Sequence, residues 1–117
     1  MDDLNDGHLD GLYDSTKLVS ANISGNFLLT SAALRFLYFT PFLRILNISY
    51  TPVSNIVPVS QCHLLEELYA NNTEIKSPVP ASYCPRLRVL SLRRCPNLDR
   101  SLLVHFMGNC PMVEIKT

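Results

Sequence analysis

The chain has 117 residues, 47% of them hydrophobic and 17% charged, with ten Lys and Arg balancing ten Asp and Glu. That composition excludes a disordered chain and suits one domain spanning residues 1–117. The zero net charge gives no general attraction for nucleic acid or for a membrane surface.

In chain order, Leu4, Leu9 and Leu12 are spaced by five and three, which predicts a short helix. A strand follows near residues 18–24, where Ala21 and Ile23 alternate with Ser20 and Asn22. Leu29, Leu34 and Leu37 repeat the five-and-three spacing and predict a helix of two turns or so. The next three strands are expected near residues 43–49, 65–71 and 87–93. Between them, Pro58 and then Pro78 and Pro80 rule out an interior helix turn and predict extended or 3₁₀ segments. Leu98, Leu103 and Phe106 predict a last helix, and a fifth strand falls near residues 112–117. Its register stays open. Val113 as the first apolar position buries Lys116, whereas Met112 in that role buries Ile115.

Four of these segments carry one pattern, apolar at positions 1, 4 and 6 and small and polar at 9. The apolar sets are Leu18, Ala21 and Ile23; Leu43, Leu46 and Ile48; Leu65, Leu68 and Ala70; and Leu87, Leu90 and Leu92. The turn residues are Asn26, Thr51, Thr73 and Cys95, whose side chains can satisfy backbone groups where the chain leaves the strand. Successive copies start 25, 22 and 22 residues apart.

This pattern resembles the leucine-rich repeat. The resemblance covers nearly the whole chain and implies an α/β solenoid of about four to five repeats. A parallel sheet would line the concave side, with short helices or 3₁₀ and extended segments on the convex side. The helix-backed repeats, above all the stretch from Cys95-Pro96 to Cys110-Pro111, resemble the ribonuclease-inhibitor-like, cysteine-containing subclass found in substrate-recognition domains of F-box proteins.

Cys62, Cys84 and Cys110 recur just ahead of successive leucine positions, and no two cysteines form a C-x-x-C pair, so buried free thiols are expected rather than a zinc site. The Cys-Pro pairs are accounted for by the repeat, and no metal or haem cofactor is expected. His8, His63 and His105 fall in different parts of different repeats, which leaves no catalytic constellation. Three N-x-S/T sequons, at Asn22, Asn47 and Asn71, are expected to face the concave side as plain polar residues. Free thiols and the acidic opening Met1-Asp2-Asp3, with no apolar stretch like a signal peptide's, point to an intracellular, cytoplasmic protein.

Equal positions of neighbouring repeats form ladders across the sheet. Position 2 reads Arg44, Glu66 and Arg88, joined by Glu114 if Val113 is position 1 of the last strand, alternating in sign and expected to be structural. The candidate partner-binding residues are Tyr50, Glu67, Tyr69, Asn71, Arg93 and Arg94, which combine aromatic, amide and arginine groups of the kind enriched at interfaces.

Neither end shows a polar cap. The three expectations are a piece of a longer solenoid, homo-association through the uncapped ends, or terminal residues folded back as makeshift caps. The function these residues imply is a scaffold or interaction module that binds a protein on its concave face. The other reading is a substrate-recognition or regulatory fragment of an F-box-like receptor without its adaptor-binding region. An enzyme would need a reactive cluster that the sequence does not show.

Overall fold

The structure, a computed structural model, describes residues 17–117. The helix expected over residues 4–12 lies outside the described residues.

Five three-residue strands form one parallel sheet in chain order: β1 (Ser20–Asn22), β2 (Ile45–Asn47), β3 (Glu67–Tyr69), β4 (Val89–Ser91) and β5 (Glu114–Lys116). Their central residues Ala21, Leu46, Leu68, Leu90 and Ile115 stand opposite one another. Backbone bonds carry the ladder past the strands, as from Ile48 N to Tyr69 O at 2.8 Å and from Ala70 N to Ser91 O at 2.8 Å. Equal repeat positions therefore stack as columns.

The columns build the core. Leu43, Leu65 and Leu87 fill position 1, Leu46, Leu68 and Leu90 position 4, and Ile23, Ile48, Ala70 and Leu92 position 6, all buried. Leu18 is half-buried against the first of these layers. Fully burying one leucine side chain contributes about 1.5–3 kcal/mol, so each repeat is held by its apolar triplet.

The return halves differ. The segments Val57–Gln61 and Val79–Tyr83 are 3₁₀ turns with a proline in the first turn, where the missing N–H has no partner to lose. Ser31–Phe39 is also 3₁₀. Its buried side chains Ala33 and Phe36, and Leu34 and Leu37, sit three apart, and a helix of three residues per turn stacks such pairs into one stripe. Among the described residues only α1 (Arg100–Asn109) is α-helical. Asp99 caps it by accepting from Ser101 N and Leu102 N, and the Ser101 hydroxyl bond, foremost among these contacts, holds the Asp99 carboxyl below its ordinary pKa.

Two departures from a regular repeat follow from single residues. After Asn26 and after Cys95 a tight turn inserts one residue, so Leu29 and Leu98 enter the core where Val53 and Ile75 do elsewhere. Leu28 is left 63% exposed as a result. The run into the last strand is one residue short. Val113 bonds back to Cys110 O as Leu87 does to Cys84 O, yet Ile115 pairs with Leu90. Val113 and Ile115 both pack on the core, and Met112 stays exposed.

Candidate functional site

The concave face is a network of side chains bonded to one another. Arg44 Nε donates to Glu66 Oε2 at 2.8 Å, and Arg88 Nε lies 3.7 Å from Glu66 Oε1. The Arg88 guanidinium also pairs with Glu67, whose other carboxylate oxygen accepts the Tyr69 hydroxyl. That hydrogen bond, more than burial, raises the Tyr69 phenol above its ordinary pKa. Glu114 does not join the position-2 ladder. The shortened run into the last strand moves it opposite Val89, and its ion pair is with Lys116 in its own strand at 4.0 Å.

Below this layer, serine and asparagine side chains bond backbone across repeats. Asn71 N donates to Ser49 Oγ at 3.0 Å, and Asn71 Oδ1 accepts from Arg93 N at 2.9 Å and from Ser91 Oγ at 2.6 Å. Ser49, Val89 and Ser91 are buried although they occupy outward positions. Outward in the pleat is not the same as open to a partner. The first two sequons have a local cause: Asn22 Oδ1 accepts from Ser24 N and Asn47 Oδ1 from Ser49 N, each at 3.0 Å, so asparagine and serine two residues on form a turn that ends the strand.

At position 8 the backbone becomes left-handed in every complete repeat. The φ values are +78° at Gly25, +60° at Tyr50, +57° at Asn72 and +58° at Arg94. Glycine takes this conformation without steric cost and asparagine takes it readily, whereas tyrosine and arginine each cost roughly 1–2 kcal/mol. The turn that follows is closed from position 9. Thr51 Oγ1 donates to Ile48 O at 2.7 Å, Thr73 Oγ1 to Ala70 O at 2.9 Å and Asn26 Nδ2 to Ile23 O at 2.8 Å. Cys95 departs from this and reaches back one repeat, with Sγ 3.1 Å from Ala70 O. Together these turns form the rim where the strands end. A groove of about 380 Å³ runs along it, lined by Phe27, Tyr50, Pro52, Asn72, Glu74 and Arg94. Phe27 is 78% and Tyr50 53% exposed.

The six candidate residues thus fall into separate settings. Tyr50 and Arg94 line the rim groove with Asn72 between them, Glu67 and Tyr69 are bonded together at the sheet centre, Asn71 is a brace between repeats, and Arg93 is exposed beside it. Phe27 and Pro52 belong to the rim and were not signalled by the strand pattern. They follow the turn residue, two places beyond the left-handed residue, where the repeat leaves the side chain unspecified.

The four cysteines are free thiols, of which Cys62 and Cys84 are buried and Cys95 and Cys110 only half-buried. Uniform burial does not hold because Cys95 sits in an exposed turn and Cys110 at the start of the shortened run into the last strand. Burial, reinforced by each next thiol in the stack, pushes Cys62 up to about 12, against a smaller opposing hydrogen bond with Thr40, and pushes Cys84 up to about 11. A thiol kept protonated is a poor nucleophile. Thr40 occupies the cysteine slot of the preceding repeat, where Leu43 N bonds to its carbonyl as Leu65 N does to that of Cys62. Among the described residues no group of three or more His, Cys, Asp or Glu is placed to hold a metal ion. No helix there is long and apolar enough to cross a membrane.

Comparison with solved structures gives the architecture its class. A leucine-rich-repeat protein of Leptospira interrogans superposes with a TM-score of 0.70 at 19% identity, over 86% of this chain and 25% of that one. An internalin, InlF, of Listeria monocytogenes superposes with a TM-score of 0.72 at 21% identity, over 90% of this chain and 29% of that one. The fold is a leucine-rich-repeat solenoid. The chain spans little more than a quarter of the length of these proteins. No protein-family model matches the sequence, and no curated protein matches it significantly. Within a solenoid of this kind the rim groove lies along the strand-exit edge of the sheet and the Glu67–Tyr69–Arg88 network on its concave face.

Proposed function

We propose that this solenoid is a protein-interaction module that holds its partner along the strand-exit rim, with Tyr50 and Arg94 as anchors and Arg93 beside them. One observation carries the reading: position 8 favours glycine, which Gly25 supplies, yet Tyr50 and Arg94 stand there in the left-handed conformation with their side chains on the groove. Strain of that kind persists where something compensates for it, and tyrosine and arginine are the residue types that dominate interface energies. Glu67 and Tyr69 contribute a rigid, internally neutralised floor next to the rim, and Asn71 braces it.

The test is paired affinity capture from the native source with the wild-type chain and a Tyr50→Gly/Arg94→Gly variant. Glycine suits the backbone there, so the variant stays folded, and the proteins retained by the wild type should be lost. Identical captured sets would remove the rim from consideration.

A second reading, a substrate-receptor fragment with the cysteine-containing type of repeat, is favoured by an α-helix-backed unit among the described residues, Cys95 through α1 to Cys110. An intracellular setting is supported by four free thiols. Association of copies through β5, the edge strand of the described sheet, is a competing use of the molecule, and a mass near 13.2 kDa in solution would count against it.

A further inference from the structure

The opposite edge of the sheet, where the chain enters each strand, carries a second surface that the rim reading does not use. The residue just before each leucine position is Lys17, Phe42, Leu64 and Arg86 in turn. Each stands three places ahead of the register partners Ser20, Ile45, Glu67 and Val89, so the four lie side by side just ahead of neighbouring strands. They span about 14 Å from first to last. Two adjacent apolar side chains are bracketed by two cations. With Val19 and Arg44 they line a groove of about 310 Å³, and among the described residues no carboxylate lines it. Phe42 is 53% and Val19 46% exposed.

Among the described residues, the charges of Lys17 and Arg86 are uncompensated. Arg44 is paired with Glu66, but none of the ion pairs among the described residues uses Lys17 or Arg86. The neutrality of the chain conceals a partition. All ten Lys and Arg lie in residues 17–117, against five Asp and Glu, leaving +5, while residues 1–16 hold five aspartates and no Lys or Arg.

We propose that this strand-entry groove docks an extended segment of a partner protein with the pattern acidic-x-apolar-x-acidic. In an extended chain alternate side chains share a face, and residues four apart are separated by about 13 Å. Two carboxylates at that spacing meet Lys17 and Arg86, and the apolar residue between them rests on Phe42 and Leu64. Exposed cations of this kind set specificity and association rate, and their effect is screened by salt.

The chain's own first residues carry the same spacing at Asp2, Leu4 and Asp6 and again at Asp10, Leu12 and Asp14, so the experiment separates the two occupants. Fluorescence anisotropy on the full chain follows a fluorescein-labelled Gly-Asp-Ser-Leu-Ser-Asp-Gly peptide and its counterpart with both Asp replaced by Asn. The acidic peptide should bind saturably and the Asn peptide should not. Lys17→Glu and Arg86→Glu, both exposed positions, should each weaken binding roughly fivefold, and 300 mM salt should weaken it further. Binding unaltered in the double variant, or absent from the wild type, overturns the proposal. So does binding that appears only once Asp2, Asp6, Asp10 and Asp14 are changed to Asn, which would make the occupant the chain's own segment.

Discussion

The centre of the concave sheet and the strand-exit rim are built from similar residue types, yet their polar groups have different fates. At the centre, Glu66 and Glu67 are shared among Arg44, Arg88 and Tyr69, and Asn71 is bonded to the backbone and hydroxyls of both neighbouring repeats. On the rim, Tyr50 and Arg94 are turned out by a left-handed backbone, and among the described residues no hydrogen bond or ion pair occupies either side chain. A concave column can therefore be rich in interface-type residues and still be spent on holding repeats together, whereas a column fixed by backbone geometry keeps its side chains available. The substitutions below press on that contrast.

The largest stability effect is expected at the centre. Asn71→Ala removes the acceptor of the buried Ser91 hydroxyl and of Arg93 N–H, and leaving a buried hydroxyl unpaired costs about 1–3 kcal/mol. Urea denaturation should show a loss of about 2 kcal/mol. A change within about 0.5 kcal/mol, the usual range for a surface side chain, would return Asn71 to the list of contact residues.

The rim predicts the reverse sign. Arg94→Gly relieves the left-handed strain, offset in part by the freedom that glycine adds to the unfolded chain, and should raise stability by about 0.5–1 kcal/mol. Gly25→Ala is its control. An added Cβ at Gly25 meets nothing within 4 Å, so any loss there, about 1 kcal/mol, is the cost of the backbone conformation alone. If both variants shift in the same direction, strain does not distinguish position 8 and the argument for the rim collapses.

Much of the fold was legible because the repeat states its core directly. Leu43, Leu65 and Leu87 announce each strand, and Pro58 and Pro80 exclude helix from the two middle repeats, which are 3₁₀. The solenoid class follows from those columns. Less was legible where one residue more or fewer changes the path. The inserted residues after Asn26 and Cys95 and the short run from Cys110 to Ile115 depend on how a turn closes in three dimensions. The nine-residue 3₁₀ segment had the spacing of a helix, and the burial of Ala33, Leu34, Phe36 and Leu37 is visible only in three dimensions. The candidate site was the weakest part for a related reason. Tyr50 and Arg94 have no local signature of a left-handed turn, which becomes visible only when they are aligned with Gly25 and Asn72, and nothing in the residue names Glu67 and Tyr69 says that they bond to each other.

The smallest effect is the most specific test of that last contact. The Tyr69 phenol is raised above 10.0 chiefly because it donates to Glu67, so the folded state holds this proton more tightly than the unfolded state. Its contribution to stability is then complete below pH 10, where the unfolded phenol is still protonated, and is lost as pH rises through the higher folded-state value. Because the group is only half-buried, the hydrogen bond is partly screened and should be worth about 0.5 kcal/mol. Tyr69→Phe should lower stability by that amount at neutral pH, and the gap between wild type and variant should close on going to strongly alkaline solution. A gap of the same size at both ends of the titration would mean that Tyr69 acts through its ring alone, and the sheet centre would then be less committed to its own bonding than the contrast with the rim requires.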